Sequence, residues 1–166
     1  MKLILGSASP RRSELLAQIG VIADKIIPAD IDETPQKGER PRPYADRMAL
    51  TKSKAIKVED SDLVLTADTI VSAGIRILGK PKSEAEAVEF LTLLLGRRHR
   101  VTTAVTLRKN DLIWSRSVTT SVKMKNLSDI EISSYIRSQE WRGKAGGYAI
   151  QGIASVFIPL DRKSVV

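Results

Sequence analysis

The chain has 166 residues, 42% of them hydrophobic and only 4% aromatic, which predicts a single domain with a mostly aliphatic core. It contains no cysteine and one histidine, His99, so disulfides, thiolate metal sites and multi-histidine zinc sites are excluded. The formal net charge of +8 favours a polyanionic partner, which could be a nucleotide or a nucleic acid.

The first predicted element is a short strand at residues 2–5. Its apolar run is too short for a signal peptide, and no stretch approaches the roughly 20 apolar residues that span a bilayer, so we expect a cytoplasmic protein. A helix should begin at Ser9 and Pro10, a good N-cap and a good first helical residue, and should end at Gly20. A strand at residues 25–29 and an acidic loop follow.

Short apolar runs alternate with amphipathic stretches along the remaining chain, which indicates an α/β architecture. The predicted elements are a helix at 44–56, a strand at 63–66 ending at Asp68, a strand at 70–78, a helix at 83–96, two strands at 100–107 and 113–124, a helix from Ser128 and a strand at 153–158. Asn110-Asp111 predicts a hairpin between the two long strands, and Glu131 completes a capping box at Ser128.

The segment from Gly6 to Arg12 is a candidate anion site. A strand ends there, the hydroxyls of Ser7 and Ser9 follow, and a helix opens with Arg11 and Arg12 in its first turn. Free backbone N–H groups and the positive end of a helix attract anions, and a negative ligand would offset the unfavourable position of the two arginines. The alternative is a capped helix with solvated arginines.

Carboxylates form a second candidate group. Because Asp68 follows an apolar strand, we expect it at the carboxyl edge of the sheet, where open α/β sheets bind ligands. There it could coordinate a metal or accept a proton from the attacking water. Asp32 and Glu33, in the acidic loop, could join Asp68 around a hard cation that bridges phosphate oxygens. Alternatively, Asp68 and Thr69 begin a turn and the acidic loop is solvated.

Two lysines and one glutamine complete the candidates. Lys52 continues an apolar helical stripe, so it either extends to the surface or points into a cleft. Lys80 lies between Gly79 and Pro81, whose turn could direct its amine at phosphates, although a surface lysine is also compatible. Gln151 follows a glycine-rich segment and could offer a donor and an acceptor to a base edge, unless that segment is a flexible surface loop.

Taken together, these segments resemble the Maf family of nucleotide pyrophosphatases. The matching pieces, in the family's order, are Ser7-Ala8-Ser9-Pro10-Arg11-Arg12, Asp32-Glu33, Lys52, Ala67-Asp68-Thr69, Gly79-Lys80-Pro81 and Lys144-Ala145-Gly146-Gly147-Tyr148-Ala149-Ile150-Gln151-Gly152. The resemblance implies an inosine-triphosphatase-like fold, in which a mixed twisted sheet with flanking helices forms a two-lobed cleft. It also implies a divalent metal, Mg²⁺ or Mn²⁺, a cytoplasmic location and dimerisation.

The same resemblance implies roles for individual residues. Asp68 matches the family's proton acceptor, and Glu33 with Asp68 would hold the metal. Arg11, Thr69 and Gln151 match positions that set the base preference, and this trio is similar to the branch that acts on dTTP and UTP.

The chain departs from the family's pattern at its C-terminus. Members continue past the Gln-Gly strand into further sheet and a terminal helix, whereas this sequence ends soon after residue 158. We therefore expect one domain over residues 1–166 whose C-terminal part is shortened, with a tail that does not replace the missing elements.

The expected reaction is hydrolysis between the α and β phosphates of dTTP or UTP, giving a nucleoside monophosphate and pyrophosphate. Asp68 would activate water, the metal would neutralise charge, and the phosphates would be bound by Ser7, Ser9, Arg12, Lys52 and Lys80. The alternative is a basic nucleic-acid-binding or cell-division regulatory module with impaired catalysis, which the net charge of +8 also permits.

Overall fold

Six strands form one mixed sheet within residues 1–159, the part of the chain that this computed structural model describes. They are β1 (Leu3–Leu5), β2 (Lys25–Ile26), β3 (Leu63–Ala73), β4 (Arg76–Leu78), β5 (Arg98–Lys109) and β6 (Leu112–Lys123). Their order is β2-β1-β3-β5-β6, with β4 paired to β3. β1 runs parallel to β2 and β3, and β4 runs antiparallel to β3. The predicted tail, residues 160–166, lies outside the described residues.

The helices are α1 (Pro10–Gln18), α2 (Pro41–Ala55), α3 (Glu84–Leu94) and α4 (Asp129–Arg137), with short 3₁₀ segments at Ala145–Gly147 and Ile153–Phe157. No helix among residues 1–159 is both long and apolar enough to cross a membrane. The predicted caps are confirmed at α4, where the amide of Glu131 donates to Ser128 Oγ and the amide of Ser128 donates to the Glu131 carboxylate.

The described residues divide into two units, the first of which comprises residues 1–69 and 103–118. In this unit Ile4 and Val64 of adjacent strands pack against Ile56, which follows α2. A side chain at Gly6 would place its Cβ 2.5 Å from Cγ2 of the fully buried Thr66, as well as 2.4 Å from Ile56 Cδ1, so glycine suits the close approach at the end of β1. Arg108 of β5 donates to the carbonyl oxygen of Ile56 at 2.8 Å and so satisfies a backbone group beyond the helix end.

The second unit comprises residues 70–102 and the described residues from 119 onward. Its core is aliphatic and aromatic, and α3 packs against α4. The largest buried side chain is Trp141, whose indole Nε1 donates to the carbonyl oxygen of Ile136 at 3.2 Å. This bond satisfies the one polar atom of a ring that otherwise contributes apolar packing.

One predicted strand boundary is wrong, at Asp68. The sequence predicts two strands separated near Asp68, but β3 runs without interruption from Leu63 to Ala73, so Asp68 lies inside the strand rather than at its end. The chain turns only at Gly74, whose φ of 61° suits a tight hairpin, and Ala73 then pairs with Arg76. A charged residue remains inside this strand because a lysine from α2 pairs with it.

The predicted final strand is also wrong, because residues 153–157 form a 3₁₀ helix. The Glu140 carboxylate accepts from the amides of Ile153 at 2.9 Å and Ala154 at 3.3 Å, in place of the pairing that a strand would need. The side chain of Phe157 is buried and packs edge to face against the ring of Tyr135, with ring centroids 5.4 Å apart. The segment therefore closes part of the core of the second unit.

Smaller differences concern helix and strand lengths. α2 begins at Pro41 instead of residue 44, because Pro favours a first helical position, and β2 stops at Ile26 instead of residue 29. α1 spans the predicted residues and ends with Gly20 at φ 75°, but none of its side chains is fully buried.

Candidate active site

The turn between β1 and α1 is organised by the hydroxyl of Ser7, which is 6% exposed. Arg12 Nη1 donates to Ser7 Oγ at 2.8 Å, and the amide of Ser9 donates to the same oxygen at 3.2 Å. Burial lowers the pKa of Arg12, whereas the charges of Asp68 and Glu33 raise it. The predicted anion turn therefore presents a half-buried guanidinium that is held in place and faces carboxylates.

Lys52 lies between two carboxylates. Its Nζ is 2.5 Å from Asp68 Oδ1 and 2.7 Å from Glu33 Oε1. The residue is only 8% exposed, so of the two predicted orientations the inward one is correct. Lys52 lies on the same buried face of α2 as Met48, so its side chain points toward β3, where its ammonium group pairs with Asp68.

Burial raises the pKa of Asp68 above its ordinary value, and Glu33 adds to this effect, while the charge and hydrogen bond of Lys52 and the charge of Arg12 oppose it. A raised pKa makes this carboxylate a stronger base than a solvated aspartate. The site thus contains a buried base beside two cations that can bind phosphate oxygens.

The carboxylates of Glu33 and Asp68 also fit a divalent metal. Both direct an oxygen at the same point, which the ammonium group of Lys52 takes in this structure. Within residues 1–159 no three acidic or histidine side chains are grouped closely enough to form a complete protein cage. Mg²⁺ commonly takes only one or two carboxylates and completes its shell with water and phosphate oxygens, so two carboxylates are sufficient. Asp32 instead accepts from the amide of Thr34 at 2.8 Å and caps its own loop.

The structure therefore brings together Ser7, Arg12, Glu33, Lys52 and Asp68 in the first unit. Two other predicted site residues of this unit, Arg11 and Thr69, are exposed. Thr69 Oγ1 lies 3.0 Å from Thr103 Oγ1 on the neighbouring β5.

In the second unit, the side chains of Lys80 and Gln151 are exposed. Lys80 lies in the turn that begins at Gly79, and Gln151 lies in the glycine-rich segment. The carbonyl oxygen of Gly79 accepts from the amide of Gly146 at 2.9 Å, which ties the turn of Lys80 to the glycine-rich segment. Gly146 adopts φ 67°, and a Cβ there would lie 2.8 Å from Val71, so the segment needs glycine at this position.

Sequence reasoning missed Tyr44, which is 7% exposed and whose Oη donates to the carbonyl oxygen of Glu33 at 2.6 Å. Its spacing from Met48 and Lys52 along α2 was the available signal, because residues four apart share a helix face. A bond from a side chain to a backbone oxygen leaves no other trace in a single sequence.

Comparison with known proteins gives consistent matches. Residues 2–162 match the family model described as Maf-like protein. The dTTP/UTP pyrophosphatase of Cereibacter sphaeroides is 60% identical over 159 residues, which cover 96% of this chain and 83% of the relative. Proteins with the same name from Ruegeria sp. and Zymomonas mobilis are 58% and 53% identical, covering 96% and 94% of this chain and 82% and 78% of the relatives.

A solved structure of a HAM1 protein from Coxiella burnetii is similar in fold. The TM-score is 0.51 at 15% sequence identity, and the match covers 94% of this chain and 91% of that one. At this identity the likeness concerns the fold alone, and it confirms the predicted α/β class with a mixed sheet and flanking helices.

Proposed function

Because this chain belongs to the Maf family, we propose that it is a nucleoside triphosphate pyrophosphatase that hydrolyses dTTP and UTP. The three relatives that bear this activity in their names are 53% to 60% identical to this chain over aligned segments that cover 94% to 96% of it. The observation that carries the proposal is the buried carboxylate of Asp68, whose pKa is raised and whose oxygen lies 2.5 Å from the Lys52 ammonium.

In the proposed reaction, water attacks so that the bond between the α and β phosphates breaks, giving a nucleoside monophosphate and pyrophosphate. Asp68 accepts the proton of that water. Arg12 and Lys52 bind phosphate oxygens, with Ser7 and Ser9 beside them at the β1–α1 turn. We propose the same role for Lys80 from the resemblance to the family. An arriving triphosphate competes with the carboxylates for the Lys52 ammonium, which would leave Asp68 a stronger base.

We also propose that Glu33 and Asp68 hold Mg²⁺ or Mn²⁺ when substrate is bound. The ion would neutralise charge on the phosphates. The donor set supports this, since both carboxylates already face one cationic group.

The base preference is assigned to Arg11, Thr69 and Gln151. Gln151 is exposed, and its amide can donate to a carbonyl and accept from the N–H of uracil or thymine. Arg11 and Thr69 are exposed and therefore accessible to a ligand.

The experiment is a comparison of kcat/KM for UTP, dTTP, GTP and ATP with the full chain and Mg²⁺. UTP or dTTP should be the best substrate, and Gln151→Ala should reduce its advantage over GTP by about fivefold, since one hydrogen bond contributes about 1 kcal/mol net. Gln139→Ala is the control, because the amide of this glutamine donates to the Ile136 carbonyl oxygen and to Glu84, neither of which belongs to the proposed site. A purine triphosphate as the best substrate would contradict the assigned preference.

A homodimer in the cytoplasm completes the proposal. The absence of cysteine agrees with a reducing compartment. β6 is an edge strand that leaves Leu112, Trp114 and Val118 more than half exposed, and such strands pair readily with a second copy. Sedimentation equilibrium would test this, since a monomer at all concentrations would contradict it.

A further inference from the structure

The carboxylate of Glu33 is carried by an irregular loop. Residues 27–40 contain neither helix nor strand, yet Glu33 Oε1 lies 2.7 Å from Lys52 Nζ. A loop without its own backbone ladder has many accessible conformations, so other contacts must fix the carboxylate at that distance.

Those contacts come from the first turns of α2. Tyr44 Oη donates to the carbonyl oxygen of Glu33 at 2.6 Å, and Arg47 Nη2 donates to that of Thr34 at 3.2 Å. The Arg47 guanidinium also pairs with Glu39 through two bonds of 2.7 and 2.6 Å. Glu39 in turn accepts from the amide of Gln36 at 2.9 Å, so the loop is bonded at several points after Glu33.

The hydroxyl of Tyr44 is suited to this task. The side chain is only 7% exposed, and its hydroxyl reaches the carbonyl oxygen of Glu33 at 2.6 Å, so water competes little for this hydrogen bond. Arg47 lies over the Tyr44 ring at 5.5 Å, which restricts the ring further.

One helix thus sets both sides of the contact between Glu33 and Lys52. α2 carries Lys52 directly, and it holds the backbone of Glu33 through Tyr44. Because a helix is stiff over two turns, the two attachment points keep a fixed separation.

We propose that Tyr44 is a positioning residue whose hydroxyl holds the Glu33 loop, so that the Glu33 carboxylate faces Lys52 and the metal of the proposed reaction. The metal part of this inference rests on the proposed function, whereas the loop part stands on the contacts alone.

Amide hydrogen exchange of Tyr44→Phe tests the loop part. Removing one hydrogen bond should speed exchange at residues 31–36 about fivefold, the factor equivalent to about 1 kcal/mol, and leave the strand at 63–66 unchanged. Arg47→Gln should also speed amide exchange at residues 31–36. The matched control is Tyr148→Phe, which removes a buried hydroxyl bonded to His99 in the second unit and should not affect residues 31–36. Wild-type exchange in Tyr44→Phe, or equal acceleration everywhere, would overturn the inference.

Metal dependence tests the catalytic part. With UTP as substrate, Tyr44→Phe should raise the Mg²⁺ concentration for half-maximal rate about fivefold, with a smaller change in kcat at saturating Mg²⁺. An unchanged half-saturation would overturn the metal role. If the wild type released no pyrophosphate, the proposed function would fail, and the exchange measurement would still decide the position of the loop.

Discussion

The pairing of Lys52 with Asp68 is the most consequential contact at the scale of single residues. Both side chains are almost fully withdrawn from water, which costs several kcal/mol for each charge, and their mutual attraction offsets that cost. Loss of one partner leaves the other charge buried and uncompensated. The pair is therefore expected to matter for folding as well as for chemistry.

Replacing Lys52 tests this coupling. Lys52→Met should lower the free energy of unfolding by about 3 kcal/mol, and adding Asp68→Asn should recover at least half of the loss, because the uncompensated charge is removed. Urea unfolding monitored by circular dichroism measures both effects. Lys54→Met, an exposed lysine on the same helix, should change stability by less than about 0.5 kcal/mol. Additive effects of the Lys52 and Asp68 substitutions would show that the pair is not coupled.

Sequence patterns identify some of these residues and not others. Lys52 stands out because it interrupts an apolar stripe, and the position of Asp68 after an apolar run marks it as unusual. The pattern could not choose between an exposed and a buried lysine, since that depends on a carboxylate from a distant strand. The spacing of Tyr44 from Met48 and Lys52 indicates a shared helix face, but its hydrogen bond could not be predicted, because the partner is a backbone oxygen.

At the scale of elements, helices were predicted more accurately than strand ends. Ser128 and Glu131 specify the start of α4 through local bonds, so the sequence alone suffices there. The course of β3 through Asp68 depends on Lys52 of α2, and the conformation of residues 153–157 depends on Glu140, so neither was visible in the local sequence.

The 3₁₀ segment at residues 153–157 leads to a stability prediction. Phe157 is 3% exposed and packs against Tyr135, so Phe157→Ala should lower the free energy of unfolding by about 3 to 5 kcal/mol. Val156→Ala, at a neighbouring side chain that is 66% exposed, should have an effect within about 0.5 kcal/mol. Thermal unfolding of the two variants provides the comparison, and similar losses would mean that the segment does not anchor the core.

His99 of β5 is expected to make the stability of the protein depend on pH. The side chain is buried beside Tyr148, with Nε2 2.5 Å from its hydroxyl, and burial lowers the His99 pKa from 6.5 to about 4. Between pH 4 and 6.5 the unfolded chain binds a proton at His99 more readily than the folded chain does. The contribution of neutral His99 to the free energy of unfolding is therefore fully present above about pH 6.5 and is lost as the pH falls toward 4. The loss amounts to at most about 3.5 kcal/mol, at about 1.4 kcal/mol for each pH unit.

The measurement is the free energy of unfolding at several pH values for wild type and His99→Gln. Gln retains a polar group near Tyr148 but does not titrate, so its stability should fall less steeply between pH 6.5 and 4. Parallel curves for the two proteins would show that His99 does not contribute to the acid slope.

At the scale of the whole molecule, the order of short motifs along the chain was more informative than any one of them. Each piece has an ordinary structural explanation, but the family match over residues 2–162 confirms that the combination is specific. The formal charge of +8 suits a triphosphate substrate, and it equally allows nucleic-acid binding. Because the net charge does not distinguish a triphosphate pyrophosphatase from a nucleic-acid-binding protein, the distinction has to come from the identity of the reaction products.

The most direct measurement is chromatography of the products formed from UTP and Mg²⁺ by wild type and by Asp68→Asn. We expect UMP and pyrophosphate in equal amounts without UDP, and a rate at least about 100-fold lower for the variant, which keeps the shape of the side chain but loses the base. Circular dichroism should confirm that the variant is folded. Accumulation of UDP, or an unchanged rate in folded Asp68→Asn, would contradict the assignment of Asp68 as the base of a pyrophosphatase.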